Sequence, residues 1–181
     1  MSVRSVYVEG VAFWAPGLPH WPAAAAALRD EALPCAQGSR MPVATLLSAA
    51  ERRRAPETVS LALEAARMAV AAAGRPAHGL VSEIVSAHGD LPIIDHMCTT
   101  LATDPLQVSP TRFLHSIHNA PAGLWSMVGG GRSANTALTA HEHSFNAGFL
   151  EAALQCATDA PAVLLVGSDT AATGLLAHTV T

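Results

Sequence analysis

Apolar positions in the first half of the chain follow two different spacings. Residues 5–15 are rich in β-branched and aromatic side chains and are followed by Pro16-Gly17, which predicts a strand. Residues 20–33 then predict a helix with a proline in its first turn. Between Pro56 and Gly74, apolar side chains recur every three or four residues, so this segment predicts a second helix.

The same alternation continues in the second half. Short apolar runs at 80–89, 133–140 and 160–169 predict strands, while residues 91–102, 109–131 and 144–156 predict helices. Pro121 is an awkward residue inside the second of these helical stretches. Strands separated by helices favour an α/β fold with a mostly parallel, mixed sheet covered by helices on both faces. No repeat or linker-like segment divides the sequence, so residues 1–181 are expected to form one domain.

Charge excludes several classes of function. All ten basic residues are arginines, so chemistry that needs a lysine of the chain is excluded, including a Schiff base and a Walker-A phosphate loop. The net charge of -4 argues against a nucleic-acid partner. The basic run Arg52-Arg53-Arg54 is interpreted as the solvated end of a helix.

The number of cysteines and the length of the apolar runs indicate the cellular compartment. Three widely spaced cysteines, with no C-x-x-C pair, indicate neither a disulfide framework nor a zinc ribbon. The longest monotonous apolar run, Ala23 to Ala27, falls well short of the roughly 20 residues that cross a bilayer. The N-terminus also lacks the features of a secretory signal. A cytoplasmic protein without membrane contact is expected.

The segment NTALTAHEHSFNAGF, residues 135–149, predicts a strand, a sharp turn and a helix. Such a turn often presents a nucleophile, and here it carries His141, Glu142 and His143. Ser144, beside a histidine, is a candidate nucleophile for a small acyl-thioester hydrolase or acyltransferase. The G-x-S-x-G pattern that exposes such a serine is absent, so Ser144 is expected instead to cap the following helix.

Histidine spacing raises the alternative of a metal site. His115 and His118 lie three residues apart in a predicted helix, and His141 and His143 flank a carboxylate. The H-E-H pattern is not the H-E-x-x-H pattern of zinc enzymes, and nine histidines make close pairs common by chance. Polar packing is therefore preferred for His115 and His118, and neither a metal nor another cofactor is expected.

Four segments follow one another along the chain: VYVEGVAFWAPG, then SPTRFLHSIHNAPAGLWSMVGGGRSANTALTA, then a helix, then AVLLVGSD. Their order resembles the N-terminal half of a β-ketoacyl synthase of the thiolase superfamily. Three blocks, at 47–66, 101–127 and 136–154, are more specifically similar to the chain-length-factor subfamily of aryl polyene and type II polyketide pathways. The resemblance covers nearly the whole chain and implies half of a thiolase-like fold.

The family's nucleophilic cysteine is missing from this sequence. Counted forward from Asn119 its position falls at Glu142, and counted back from Gly167 it falls at His141. A ketosynthase needs a thiolate because the acyl chain is carried as a thioester, which neither residue can form. The resemblance also puts the supporting histidines in a C-terminal half, beyond Thr181. It therefore implies a non-catalytic partner subunit of an active ketosynthase, with no elbow chemistry of its own.

The resemblance further implies that the chain pairs with another subunit. The strand at 133–140 matches the one that pairs across the ketosynthase dimer, and 13% charged residues with a mean hydropathy of +0.31 favour extensive burial. Expected partners are an active ketosynthase and an acyl carrier protein, with a homodimer when the chain is isolated. Bulky side chains are expected to pack in the core or to end the partner's acyl tunnel, and Asn119 to satisfy buried backbone or to line that tunnel. The candidates for tunnel or interface are Phe113, His115, His118, Asn119, Trp125, Met127, Asn135 and Phe145.

Overall fold

A computed structural model describes residues 5–36 and 38–178 of the chain. Its strands and helices alternate from the third helix onward, and two short 3₁₀ turns follow α4 and β3. In chain order the elements are α1 (Trp21–Leu28), α2 (Ala49–Arg52), α3 (Glu57–Ala73), β1 (Val81–Val85), α4 (Leu91–Thr103), α5 (Pro110–Ser116), α6 (Ala120–Val128), β2 (Asn135–Leu138), α7 (Ser144–Thr158) and β3 (Val163–Gly167).

The sheet of the described residues has three parallel strands in the order β2-β1-β3. Strand β1 is central, and Glu83 at its middle lies opposite Thr136 of β2 and Leu165 of β3. Parallel neighbours require helical crossovers, and the intervening helices supply them. The predicted α/β class, with a mostly parallel sheet, is confirmed, and all three described strands are parallel.

Helices cover the two faces of this sheet. On one face, Ile84 of β1 packs with α3 and α6 in a core that also includes Leu63 and Trp125. On the other face, α7 lies directly on Val85, because a Cβ at Gly148 would meet the Val85 side chain at 2.4 Å. Successive side chains of a strand point to opposite faces, so Glu83 faces α7 together with Val85.

The helix α3 is the clearest agreement between the sequence and the structure. It begins after Pro56 and ends at Gly74, which adopts the left-handed conformation (φ 65°) that terminates many helices. Its buried side chains include Val59, Leu63 and Val70, as the spacing predicts. The arginine run at 52–54 is exposed at the end of α2, which also agrees with its interpretation.

The prediction of a strand at 5–15 is wrong. The segment has no ladder partner in the described part of the chain, apart from an isolated bridge between Ala15 and Leu18. It lies instead against the end of α3, where Gly10 approaches the Ala69 and Ala73 backbone too closely for a Cβ. β-branched composition alone did not provide the neighbouring edge that a strand requires.

Two predicted helices are shorter than expected. The helix expected at 20–33 ends at Leu28, and Asp30 follows with a positive φ of 57°. The stretch at 109–131 is divided into α5 and α6 by Ile117, whose ψ of 139° is extended. Pro121 lies in the first turn of α6, where the missing N–H costs nothing, so the proline is accommodated by starting a new helix.

None of the helices within residues 5–36 and 38–178 combines the length and the hydropathy needed to cross a membrane.

Candidate functional site

The turn between β2 and α7 is a strained elbow with His141 at its apex. His141 has a φ of 54°, in the left-handed region that non-glycine residues seldom adopt. The chain must reverse between Leu138 and Ser144, and one left-handed residue makes so sharp a turn feasible. The sequence left two positions for the missing cysteine, His141 and Glu142. The structure gives the left-handed backbone conformation to His141. Both side chains, and that of His143, are exposed.

Ser144 closes this elbow from within. Its hydroxyl donates to the carbonyl oxygen of His141 at 2.5 Å and accepts the N–H of Ala140 at 2.8 Å. Only 4% of the residue is exposed. The prediction that Ser144 caps α7 is wrong, because the helix begins at Ser144 itself and the hydroxyl bonds to the preceding turn. The hydroxyl proton is thus committed to a backbone carbonyl, and the structure does not favour a serine nucleophile.

The carboxyl ends of the three strands meet beside the elbow. After β3, the carboxylate of Asp169 accepts the Ser86 hydroxyl at 2.6 Å and the N–H groups of Ala87 and His88 at 3.0 and 3.2 Å. The His88 ring then lies edge-on to the ring of His141, with centroids 5.3 Å apart. Sequence reasoning missed Asp169 and His88. Both residues follow the end of a predicted strand, and this position could have identified them. The carboxyl ends of parallel strands lie at the same edge of a sheet.

His115 and His118 do not lie on one face of a helix, so the prediction from their three-residue spacing is wrong. His115 belongs to α5, whereas His118 follows the break at Ile117. The ring of His118 packs on the backbone of Gly89. Nδ1 of His115 is buried and has no hydrogen-bond partner in the part of the chain that the structure describes. Both histidines line a small cavity whose walls are partly apolar and whose polar side chains include Thr58, Ser86 and Asp90.

Within the described residues, no three histidine, cysteine, aspartate or glutamate side chains are grouped so as to hold a metal ion. Both carboxylate oxygens of Asp90, the acid at the small cavity, already accept hydrogen bonds. It accepts the Thr58 hydroxyl at 2.7 Å and the N–H of Ile93 at 2.9 Å, and so joins α3 to the start of α4. The hydrogen bonds of Asp90 at this cavity therefore hold the two helices together.

The bulky tunnel candidates fall into two environments. Trp125 is 3% exposed and belongs to the core under the sheet, whereas Phe113 and Met127 are 59% and 74% exposed. Phe145 is also exposed, and one edge of its ring lies against Gly167 at the end of β3. The chain thus presents Phe113, Met127 and Phe145 to its surroundings and keeps Trp125 for packing.

The two asparagine candidates also differ in their exposure to solvent. Asn119 is exposed at the start of α6, and its side chain makes no capping hydrogen bond. Asn135, at the start of β2, donates its amide N–H to the carbonyl of Ala122, while its Oδ1 is buried and has no partner within residues 5–36 and 38–178. Asn135 therefore joins α6 to the edge strand.

A further polar residue, Glu83, was not identified from the sequence. It is fully buried at the centre of β1, and neither carboxylate oxygen has a hydrogen-bond partner among the described residues. Burial, and secondarily the negative charge of Glu151 on α7, raises the pKa of Glu83 to about 7. The available signal was an acid in the middle of the apolar run LVSEIVSAHG.

Comparisons with known proteins point to one family. The family model for the β-ketoacyl synthase N-terminal domain matches residues 21–176. No curated protein sequence matches the chain.

Solved structures of similar fold include a β-ketoacyl synthase and two complexes that contain a ketosynthase. A ketosynthase (ApeO) in complex with its chain length factor (ApeC) from Xenorhabdus doucetiae has a TM-score of 0.73 and 23% identity over 92% of this chain. A type II polyketide synthase acyl carrier protein in complex with its ketosynthase bound to the hexaketide (AntDE:AntF) has a TM-score of 0.71 and 17% identity over 95% of this chain. A β-ketoacyl synthase from Burkholderia phymatum has a TM-score of 0.63 and 17% identity over 84% of this chain. This chain spans 68%, 53% and 43% of those three chains, respectively.

Proposed function

The chain belongs to the β-ketoacyl synthase N-terminal domain family, and from this premise we propose that it is a non-catalytic partner subunit of an active ketosynthase. In this role it pairs with a cysteine-bearing subunit, as a chain length factor does, and forms no bond to the acyl chain itself. The observation that carries the proposal is the identity of the elbow residues.

The elbow has the backbone strain of a nucleophile turn without a nucleophile. Its left-handed residue is His141, and the residues that follow are Glu142, His143 and the buried Ser144. The three cysteines lie elsewhere, in the loop after α1, in α4 and near the end of α7. Condensation by a ketosynthase carries the acyl group on sulfur, and an imidazole or a carboxylate at this position does not replace that thioester.

Pairing is supported by the surfaces that the chain leaves uncovered. Strand β2 has one free edge among the described residues, and α7 beside it exposes Phe149, Leu150 and Leu154 by more than half. Exposed edges and apolar helix faces of this kind favour association. One of the solved structures of similar fold is a ketosynthase with its chain length factor, and another holds an acyl carrier protein, which suggests both as partners here.

The partner role includes limiting the length of the acyl chain. Phe113 and Met127 are bulky and exposed, so they are the side chains available to close a tunnel that reaches the interface. Trp125 is assigned to packing, because it is already surrounded by the core. We expect truncation of Phe113 or Met127 to lengthen the product and truncation of Asn119 to leave it unchanged.

The three free cysteines, two of them exposed, fit a reducing compartment and thus the cytoplasmic location expected from the sequence. An acyl-thioester hydrolase based on Ser144 is not favoured, because its hydroxyl is buried and bonded to the turn.

A reconstituted pair of subunits tests the proposal. We expect the double variant His141→Ala, Glu142→Ala of this chain to retain at least half of the condensing activity, measured as elongated acyl product. Replacing the partner's active cysteine with alanine should abolish it. Loss of more than tenfold in the double variant, with the complex intact by size-exclusion chromatography, would show that the elbow does chemistry and would overturn the non-catalytic role.

A further inference from the structure

A side-chain amide oxygen at the start of β2 is buried and lacks a donor. Asn135 donates its amide N–H to the carbonyl of Ala122, and this bond sets which end of the amide carries the oxygen. The oxygen, Oδ1, is shielded from bulk solvent and accepts no hydrogen bond from the described residues. Burial of such a group costs free energy unless a donor compensates it. A donor is therefore expected beside Oδ1.

Asn135 lines a small cavity between α6 and the beginnings of β1 and β2. Its register neighbour Ser82 lines the cavity from β1, and Trp125 and Ser126 line it from α6. The cavity volume is about 10 Å³. This volume is close to the least that holds one water molecule, and it is too small for a larger ligand.

The wall of this cavity offers further hydrogen-bonding groups. Besides Asn135, it includes the three serines Ser82, Ser126 and Ser133. Ser126 donates its hydroxyl to the carbonyl of Gly131 at 3.1 Å, and its oxygen still has lone pairs that can accept a hydrogen bond. A buried water molecule typically makes about three hydrogen bonds. The amide oxygen and the serines supply enough groups of the right kind for one water.

The composition of the wall favours a neutral occupant. None of the described residues that line the cavity is an aspartate, a glutamate, a histidine or an arginine, and the residues other than the serines and Asn135 are glycine or apolar. An ion that leaves bulk water needs an opposite charge or many polar ligands to replace its hydration. Water therefore fits this wall better than a metal cation or an inorganic anion.

We propose that this cavity binds one water molecule, which donates one O–H to Oδ1 of Asn135 and the other to a serine hydroxyl. The water joins α6 to the first residues of β1 and β2, three segments from separate parts of the chain. It supplies the donor that the buried amide oxygen requires. The inference goes beyond the proposed function and does not depend on it, because the cavity and its polar wall belong to this chain alone.

The water site lies where a glycine-rich connection needs anchors. Residues 129–131 are three consecutive glycines between α6 and β2, and Gly130 has a positive φ of 62°. Glycine loses more conformational freedom on folding than any other residue, so this connection is costly to order. Ser126 holds it through two hydrogen bonds with Gly131, one from its hydroxyl and one to its carbonyl. A water bound to Asn135 adds an anchor where the connection enters β2.

Two measurements on the wild-type chain test the water site. A crystal structure at high resolution should show one water about 3 Å from Oδ1 of Asn135. Magnetic relaxation dispersion of the solvent counts the bound waters that exchange slowly with bulk water, and it should detect this water in solution.

A pair of matched variants assigns the relaxation signal. Asn135→Leu keeps a similar side-chain volume but removes the acceptor, and an apolar cavity stays dry, so we expect the loss of one slowly exchanging water. Asn146→Leu makes the same change at an exposed position of α7 and should lose none. The wild-type measurements need no variant, so the proposal remains testable even if Asn135→Leu fails to fold.

Three results would overturn the water site. The first is a well-resolved structure in which the cavity is empty or in which Oδ1 of Asn135 accepts a serine hydroxyl directly. The second is a density peak surrounded by many oxygen atoms at the short distances typical of a bound cation. The third is an equal number of slowly exchanging waters in Asn135→Leu and the wild type. None of these results affects the partner role, which the captured complex tests separately.

Discussion

The hydroxyl of Ser144 donates to the carbonyl oxygen of His141, 2.5 Å away, and so holds the residue with the left-handed backbone in place. The same hydroxyl accepts the N–H of Ala140. A serine at this position is thus a structural part of the elbow. This hydrogen bond stabilises the conformation of the elbow, which carries no nucleophile.

Removing this hydroxyl should weaken the fold without affecting any hydrolysis. Ser144→Ala leaves the partly buried N–H of Ala140 without its partner, so we expect the free energy of unfolding to fall by about 1–2 kcal/mol in urea denaturation. The control is Ser116→Ala, whose hydroxyl bonds an exposed carbonyl at the end of α5 and should cost less than about 0.5 kcal/mol. Acyl-thioester hydrolysis that disappears with Ser144→Ala in a folded protein would restore the enzyme alternative.

Backbone strain at His141 should be measurable with two substitutions that both remove the imidazole. Glycine adopts a positive φ freely, whereas a β-branched residue does so at a cost. We therefore expect His141→Val to be less stable than His141→Gly by about 1–3 kcal/mol. Both variants lose the contact with His88, so the missing ring does not contribute to the difference between them. Equal unfolding midpoints would mean that the elbow is not strained.

The buried Glu83 should make the chain less stable as pH rises. The carboxyl has its ordinary pKa of 4.5 when unfolded and a pKa of about 7 when folded, so the folded chain holds the proton more tightly. The free energy of unfolding then falls between pH 4.5 and about 7 and is constant above that range. Since one pKa unit corresponds to about 1.4 kcal/mol, the loss is about 3 kcal/mol.

Urea denaturation of Glu83→Gln across this pH range checks the assignment. The variant should lack most of the slope and should be more stable than the wild type at pH 8, where the wild-type carboxylate is ionised and buried. The control Glu31→Gln, an exposed residue, should keep the wild-type slope. A slope that persists in Glu83→Gln would place the titrating group elsewhere.

Close packing of α7 on the sheet predicts opposite effects for two glycines. At Gly148 an added Cβ would lie 2.4 Å from Val85 and 3.0 Å from Leu165, so Gly148→Ala should destabilise the chain by about 1–3 kcal/mol. At Gly123 in α6 an added Cβ would meet no other part of the described chain within 4 Å beyond its neighbours and its own helix, so Gly123→Ala should stabilise the chain by about 0.5–1 kcal/mol. Thermal unfolding of the two variants distinguishes them, and a stabilised Gly148→Ala would contradict the packing.

Local pattern was sufficient for the elements with strong signals. The helix from Glu57 to Ala73 follows from its apolar spacing and from Gly74, and the strands β1, β2 and β3 lie within the predicted apolar runs. Residues 5–15 have strand composition but no strand, because strand formation depends on an available edge that local sequence does not describe.

Properties of the site depended on contacts between distant segments. The turn at 141–144 was predicted, but the left-handed His141 and the inward bond of Ser144 are set by the path from β2 into α7. The isolation of Glu83 arises only when α7 covers the sheet. The contact of Asp169 with the loop after β1 spans more than 80 residues of sequence. Such features require the tertiary structure.

The partner role is tested most directly by the native mass of the complex captured with the tagged chain from its source. We predict a stoichiometric pair of this chain with a ketosynthase that carries the elbow cysteine missing here. A chain that elutes alone, or only with copies of itself, and that fails to bind any ketosynthase or acyl carrier protein would contradict it.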